Sequence, residues 1–90
     1  MKNYNINKDG KNREIILSDY ITNTSVSDII NKISEINFID KEREEEFIGY
    51  TREPIKLIIN SFGGSVYDGL ALYDYILNSK TPIHTISSGS

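Results

Sequence analysis

The chain has 90 residues, no cysteine, one histidine and a formal net charge of −3 at pH 7. This length supports one small domain, and the lack of cysteine excludes a disulfide framework, a thiol nucleophile and a thiolate zinc site. The slightly acidic balance argues against a nucleic-acid or membrane-surface partner, and no stretch approaches the ~20 apolar residues of a membrane span. We therefore expect a soluble, cytoplasmic protein without a secretory signal.

The first predicted elements are a flexible arm and a strand. Residues 1–12 are rich in Asn and Lys and end in a turn signal, which is typical of a mobile arm. Residues 13–18 follow, with Ile15, Ile16 and Leu17 in a row. A short continuous apolar run predicts a strand that is buried on both faces.

A helix is predicted next, because apolar residues recur with a period of 3.6. These residues are Val26, Ile29, Ile30, Ile33 and Ile36. Ser25 and Asp28 match the S/T-x-x-D/E start signal, so we predict Ser25 as the N-cap and a helix that ends near Phe38. Residues 40–46 are mostly charged, which indicates a solvated extension of the helix or an exposed insertion.

The second half of the chain predicts strand, helix and strand. Pro54 begins a strand over residues 55–60, because a first strand position does not need the N–H that proline lacks. A helix is predicted over Val66–Asn78, then a short strand over residues 83–86 before a turn. The pattern predicts one apolar face, formed by Val66, Leu70, Tyr73 and Leu77, with Leu72 and Ile76 beside it. The β-α-β-α-β order predicts an α/β fold with a parallel sheet and right-handed crossovers.

The loop of residues 60–65, between a strand and a helix, is the candidate for chemistry. Open α/β sheets bind ligands at the carboxyl ends of their strands, where free N–H groups and the helix dipole attract negative charge. The glycines at 63, 64 and 69 do not fit the dinucleotide pattern G-x-G-x-x-G. Gly64 and Gly69 have phosphate-loop spacing, but Leu70 and Ala71 stand where a lysine and a hydroxyl are required. An oxyanion hole and a plain strand-to-helix turn both remain open.

Two other candidate sites are weaker. His84 falls in the last predicted strand, where we expect a partly exposed side chain without a catalytic role. Asp68 and Asp74 are six residues apart and do not share a helix face, so they do not predict a two-carboxylate site.

Three segments together resemble the proteolytic subunit of the Clp protease. The loop Asn60-Ser61-Phe62-Gly63-Gly64-Ser65 is similar to the family's Asn-Ser-Pro-Gly-Gly-Ser. Tyr73-Asp74 lies at the matching position of the next helix, and the segment from Pro82 to Gly89 is similar to the strand before the nucleophile turn. The sequence departs from the family in having Phe62 for proline and a longer stretch over residues 40–52, which predicts a surface insertion.

The resemblance implies the N-terminal portion of a fold shared by Clp proteases and crotonases, with residues 13–90 as an incomplete domain. It implies an oxyanion hole from Gly63 and Gly64, and pairing of a peptide substrate with Gly64, Ser65 and Val66. The family's serine nucleophile would fall about three residues beyond Ser90, and its histidine and aspartate later still. We therefore expect no catalytic residue within the chain and no peptidase activity from these 90 residues alone.

The resemblance also implies partners. They are a polypeptide substrate, further copies in homo-oligomeric rings, and an AAA+ unfoldase that uses ATP, so we expect no cofactor or metal in this chain. Two alternatives remain at this point. One is a fragment of a crotonase-type acyl-CoA enzyme, and the other is a non-catalytic, incomplete assembly module, for instance of phage origin.

Overall fold

The computed structural model describes residues 13–18, 20–61 and 63–87, which form three strands and two helices. In chain order the elements are β1 (Glu14–Leu17), α1 (Asn23–Glu46), β2 (Ile55–Ile59), α2 (Val66–Asn78) and β3 (Ile83–Ser87). The predicted α/β class and order of elements are confirmed. The predicted arm of residues 1–12 and the end of the chain at Gly89 and Ser90 lie outside the described residues.

The strands form one parallel sheet in the order β1-β2-β3. The register places Ile15 beside Leu57, and Leu57 beside Thr85. Both crossovers step to the neighbouring strand in the same direction, so right-handed connections place both helices on one face of the sheet, where α1 and α2 contact each other. All three strands end at the same edge, called here the carboxyl edge, and the loops after β1 and β2 begin there.

One hydrophobic core lies between the sheet and the two helices. Its buried members come from both helices and from β1 and β2: Ile15, Leu17, Val26, Ile29, Ile33, Ile36, Ile55, Leu57 and Leu72. Along β1 and the start of β2, buried and exposed residues alternate, as they do when a sheet buries one face only. The predicted burial of β1 on both faces was therefore wrong.

The other side of the sheet carries a row of isoleucines. The register aligns Ile16, Ile58 and Ile86 across the three strands, and Ile16 is 58% and Ile86 43% exposed. We call this row the open face. In the described part of the chain, neither helix covers the open face. The apolar run of residues 15–17 does not show whether one face or both faces of the strand are covered.

Helix α1 begins earlier and ends later than predicted. Its N-cap is Thr22, and Ser25 is the third helical residue of a reciprocal capping box, so the predicted N-cap Ser25 was wrong. The helix runs through the charged stretch to Glu46, which confirms the predicted helical extension. It continues because Ile39 and Asp40, beyond the expected end, are still buried.

Helix α2 has the predicted bounds, and it packs through residues predicted beside its main apolar face rather than through that face. Leu72 is its one fully buried residue, with Tyr75 and Ile76 partly buried against the core. The main apolar face is exposed: Val66 70%, Leu70 59%, Tyr73 60% and Leu77 63%. We call these four residues the outer face of α2. Both faces of this helix are apolar, so periodicity could not decide between them.

Neither α1 nor α2 is apolar over enough residues to cross a membrane, and the search extends only to the described residues.

Candidate functional site

The candidate site is the short segment of residues 63–65, called here the glycine loop, at the carboxyl edge. The Ile21 N–H donates to the Gly63 carbonyl at 2.8 Å, and the Ser65 N–H donates to the Ile21 carbonyl at 2.9 Å. These two bonds form a parallel bridge between Ile21 and Gly64. The sheet pairing of β1 with β2 thus resumes beyond both strands and holds the glycine loop in place.

The bridge determines where the main chain of Gly64 points. In a trans peptide unit the C=O and the N–H point to opposite sides. The Gly63 carbonyl and the Ser65 N–H both face Ile21, so the Gly64 N–H and C=O face away from it. Among the described residues the Gly64 N–H has no hydrogen-bond acceptor, and Gly64 is exposed. Within the described part of the chain, this amide is therefore free and aimed outward.

The main-chain groups of Gly63 and Ser65 are already bonded to residues outside the glycine loop. The Gly63 N–H donates to Ser61 Oγ at 3.0 Å. The Ser65 carbonyl accepts from the Gly69 N–H at 3.0 Å, while the Ser65 N–H is bonded to Ile21. Of the residues predicted to bind an oxyanion or pair with a substrate strand, Gly64 alone presents both a free N–H and an outward carbonyl, while Val66 begins α2.

Both loop glycines adopt a conformation that favours glycine, with φ of 108° at Gly63 and 140° at Gly64. They differ in surroundings. A Cβ on Gly63 would meet no atom within 4 Å, whereas a Cβ on Gly64 would lie 2.7 Å from the Ile21 nitrogen and closer still to its carbonyl oxygen. Gly64 therefore lacks a side chain for two reasons, the backbone angle and the close approach of Ile21.

The start of α2 adds a favourable field beside the free amide. Ser65 is the N-cap, and its Oγ accepts from the Asp68 N–H at 3.1 Å. The positive end of the helix dipole lies at this terminus, two residues after Gly64. A developing negative charge near the Gly64 N–H would be stabilised by both the amide and the dipole.

An apolar cleft of about 250 Å³ lies beneath α2 at the same edge. Leu17, Ile21 and Ile59 line it from the strand ends, and Leu72 and Tyr73 line it from α2. Ile21 thus serves two surfaces: its main chain holds the glycine loop and its side chain forms part of the cleft wall. Because the lining of the cleft is mostly apolar, the cleft fits an apolar side chain.

The other sequence candidates do not join this site. His84 is exposed on β3 and lies beside Lys56 in the sheet register, on the face opposite the helices. Ser90 lies outside the described residues. Within the described residues, no three His, Cys, Asp or Glu side chains come together as a metal site.

The sequence analysis missed a buried ionic cluster around Asp40. The Arg13 guanidinium donates to both carboxylate oxygens, at 2.7 and 3.1 Å. Tyr50 donates to the same carboxylate at 2.7 Å, and Thr81 at 2.8 Å. Asp40, Arg13 and Thr81 are all buried, so charges expected on a solvated surface are instead part of the interior.

These contacts affect the pKa of the carboxyl group. Burial by itself would raise the pKa of Asp40, but the hydrogen bonds from Arg13, Tyr50 and Thr81 outweigh burial and lower it. Burial, and then the bond to Asp40, raise the pKa of Tyr50. One sequence signal could have located Asp40: it follows Ile36 by four residues and so continues the buried face of α1.

A second layer of polar contacts surrounds this cluster. Arg52 binds Glu44 through two nitrogens, at 2.8 and 2.9 Å, and also reaches Asn37 and Thr81 at 3.0 Å each. Tyr50 and Arg52 both belong to the predicted insertion. Its tip is on the surface, as expected, but these two side chains return to the interior and tie the insertion to α1.

The fold and this loop define an α/β protein with an outward-facing amide at a strand-to-helix turn. A family model described as Clp protease matches residues 2–90. The chain is 33% identical over 79 residues to the ATP-dependent Clp protease proteolytic subunit 2 of Synechococcus sp. (strain CC9605), and 36% identical over 80 residues to subunit 1 of Prochlorococcus marinus subsp. pastoris. Each match covers 88% of this chain and 35% of the relative.

Solved structures agree. The ClpP protease catalytic domain from Plasmodium falciparum superposes with a TM-score of 0.69 at 33% identity, over 88% of this chain and 39% of that one. ClpP1 from Listeria monocytogenes gives the same TM-score at 22% identity, which supports the fold, over 86% of this chain and 39% of that one. The chain therefore belongs to the Clp protease family, and it spans about a third of the length of the curated relatives it matches.

Proposed function

We propose that this chain supplies the oxyanion-binding loop of a Clp-type serine endopeptidase subunit that cleaves unfolded polypeptides inside an oligomeric chamber. The observation that carries the proposal is the free Gly64 N–H, aimed outward by the bridge to Ile21. In acyl transfer, a preorganised amide of this kind stabilises the negative oxygen of the tetrahedral intermediate. Gly63 is the second member of the proposed hole, and its N–H would have to leave Ser61 Oγ to contribute.

The same geometry supports substrate binding by strand addition. The N–H and C=O of Gly64 form one donor–acceptor pair on the side away from Ile21, which is the pattern that an extended peptide can bond. Ser65 and Val66 would contact the peptide through side chains, because the main-chain groups of Ser65 are bonded to Ile21 and Gly69. Among the described residues no histidine lies beside Gly64 to activate a serine, and the proposal assigns the nucleophile and the base to the rest of the subunit.

Membership of the Clp protease family argues against the first alternative, a fragment of a crotonase-type acyl-CoA enzyme. The non-catalytic assembly module stays a prediction, as do the cytoplasmic location and the absence of a cofactor in this chain. The proposed partners are further copies of the subunit and an AAA+ unfoldase, which would hydrolyse the ATP.

A chimera tests the proposal. Residues 13–87 of this chain would replace the matching segment of the Synechococcus subunit, and peptide hydrolysis would be measured. We expect an active chimera. Gly64→Ala keeps the N–H, but its Cβ would clash with the Ile21 main chain and turn the amide away, so kcat should fall about a hundredfold or more, as on loss of an oxyanion donor. Gly49→Ala is the matched control, because Gly49 also has a positive φ (88°) but lies in the surface insertion.

Two results would contradict the proposal. An active chimera in which Gly64→Ala and Gly49→Ala have the same kcat would show that the Gly64 amide is not an oxyanion donor. An assembled but inactive chimera would favour the non-catalytic assembly module.

A further inference from the structure

The direction of the Gly64 amide depends on one residue outside the glycine loop. Both bonds that hold residues 63–65 to the sheet edge go to the main chain of Ile21. Ile21 lies in the short linker of residues 20–22, between β1 and α1, and belongs to neither element. Whatever fixes this linker therefore also fixes the orientation of the free N–H.

Ser25 holds the linker on both sides of Ile21. Its Oγ accepts the N–H of Thr22 at 2.9 Å and lies 3.0 Å from the carbonyl oxygen of Tyr20, to which the hydroxyl can donate. Thr22 Oγ1 in turn accepts the Ser25 N–H at 3.1 Å. One hydroxyl group thus fastens the peptide units before and after Ile21 to the first turn of α1.

The first turn of α1 is itself anchored in the core. Val26 and Ile29, which follow Ser25 in the same helix, are both buried in the core cluster. A continuous series of contacts therefore leads from the core through Ser25 to Ile21, and from Ile21 to Gly63 and Ser65.

We infer that Ser25 is a positioning residue for the Gly64 amide. Without its hydroxyl, Ile21 loses the tie at Tyr20 and one tie at Thr22, while Thr22 keeps its bonds to the Ser25 and Val26 N–H groups. The bridge to the glycine loop then opens more often. The Gly64 N–H then samples directions in which it cannot meet a developing oxyanion. The structural part of this inference stands on the hydrogen bonds alone, and its catalytic consequence rests on the proposed function.

The test is amide hydrogen exchange, followed by NMR on the 90-residue chain and its Ser25→Ala variant. Alanine is a good helix former, so α1 persists. We expect the Ser65 N–H, which bonds Ile21, to exchange about five- to tenfold faster, the effect of losing one or two hydrogen bonds. Its scalar coupling across the hydrogen bond to the Ile21 carbonyl should weaken, while the Leu57 amide in the buried strand should keep its rate.

Three further variants separate positioning from helix stability. Ser27→Ala makes the same chemical change two residues later, on an exposed side chain with no hydrogen-bond partner among the described residues, and should change nothing. Ser25→Thr retains a hydroxyl and should restore slow exchange. Ser25→Glu completes a standard capping box, so α1 keeps its stability. The glutamate cannot donate to the Tyr20 carbonyl. We therefore expect a Ser65 exchange rate between the rates of the parent and of Ser25→Ala.

Equal Ser65 exchange in the parent, Ser25→Ala and Ser25→Glu would overturn the inference. So would a uniform acceleration that includes Leu57, because it would show a role in global stability alone. In the chimera, Ser25→Ala should lower kcat severalfold with little change in KM. If Gly64→Ala left the chimera's kcat unchanged while Ser25→Ala sped Ser65 exchange, the proposed function would fail and the positioning role would remain.

Discussion

Gly63 and Gly64 are chemically identical neighbours that the structure uses differently. Gly63 has a bonded N–H and open space around its Cα, whereas Gly64 has a free N–H and the Ile21 main chain against its Cα. Their sequence predicts a turn that tolerates positive φ. It does not distinguish the residue that presents the amide from the residue that only allows the chain to turn.

This difference predicts unequal costs for the two alanine variants. Gly63→Ala meets only the unfavourable φ, for which we expect a loss of about 1–2 kcal/mol in the free energy of unfolding. Gly64→Ala meets the same penalty and a clash with Ile21, so it should lose more and should also break the bond from Ser65 to Ile21. Urea denaturation and the Ser65 exchange rate measure both effects. Equal losses, with the bridge intact in both variants, would contradict the geometry described for Gly64.

At the scale of elements, the sequence predicts where each helix and strand lies along the chain better than which residues they contact. The end of α2 follows from Pro82, since proline cannot continue a helix, and the parallel order follows from alternation of strands and helices. The start of α1 was misplaced, because Thr22 and Ser25 can both cap a helix and the pattern cannot show which one stands outside it.

The glycine loop and its neighbours were predictable to different degrees. The loop was located correctly from its sequence, but its anchor at Ile21 comes from a segment about forty residues earlier, which no local pattern reveals. Asp40 was assigned to a solvated charge run because its three donors, Arg13, Tyr50 and Thr81, lie in three other parts of the chain. Long-range partners are the part that single-sequence reasoning lacks.

The Asp40 cluster joins these elements and predicts a dependence of stability on pH. The folded-state pKa of Asp40 is lowered from its ordinary value of 3.8. Its stabilisation is therefore fully present above that value and is lost as the pH falls through the lower folded pKa. Tyr50→Phe removes one donor to the carboxylate, so the pKa of Asp40 should rise toward its ordinary value and acid unfolding should begin at higher pH.

The measurement is the free energy of unfolding as a function of pH. At neutral pH we expect Tyr50→Phe to lose about 1–3 kcal/mol, typical of a hydrogen bond to a charged group. Tyr67→Phe is the control, because Tyr67 is 85% exposed and should leave both the stability and its acid limb unchanged. An acid limb that is identical in the Tyr50→Phe variant and the parent would show that this bond does not hold the carboxylate in its charged form.

At the scale of the whole molecule, two apolar surfaces lie on opposite sides. The open face, formed by Ile16, Ile58 and Ile86, lies on one side of the sheet, beside the row of Glu14, Lys56 and His84. The outer face of α2 belongs to the helix layer on the other side of the sheet, and its Tyr73 also borders the cleft beneath α2. A contact that seats one surface on the other of the next copy is heterologous, and a heterologous contact that closes on itself makes a ring. A contact of this kind whose rotation does not close continues as an open filament.

A pair of variants can distinguish this head-to-tail contact from a symmetric one. Leu70→Glu blocks the outer face of α2, and Ile86→Glu blocks the open face. In sedimentation velocity we expect the parent chain to self-associate and each variant to be monomeric. Because each variant keeps the surface that the other lacks, their mixture should form dimers and stop there.

Ile48→Glu is the matched control, since Ile48 is fully exposed but belongs to neither surface, and it should associate like the parent. A mixture that stays monomeric, or a control that dissociates as well, would show that these two surfaces do not meet.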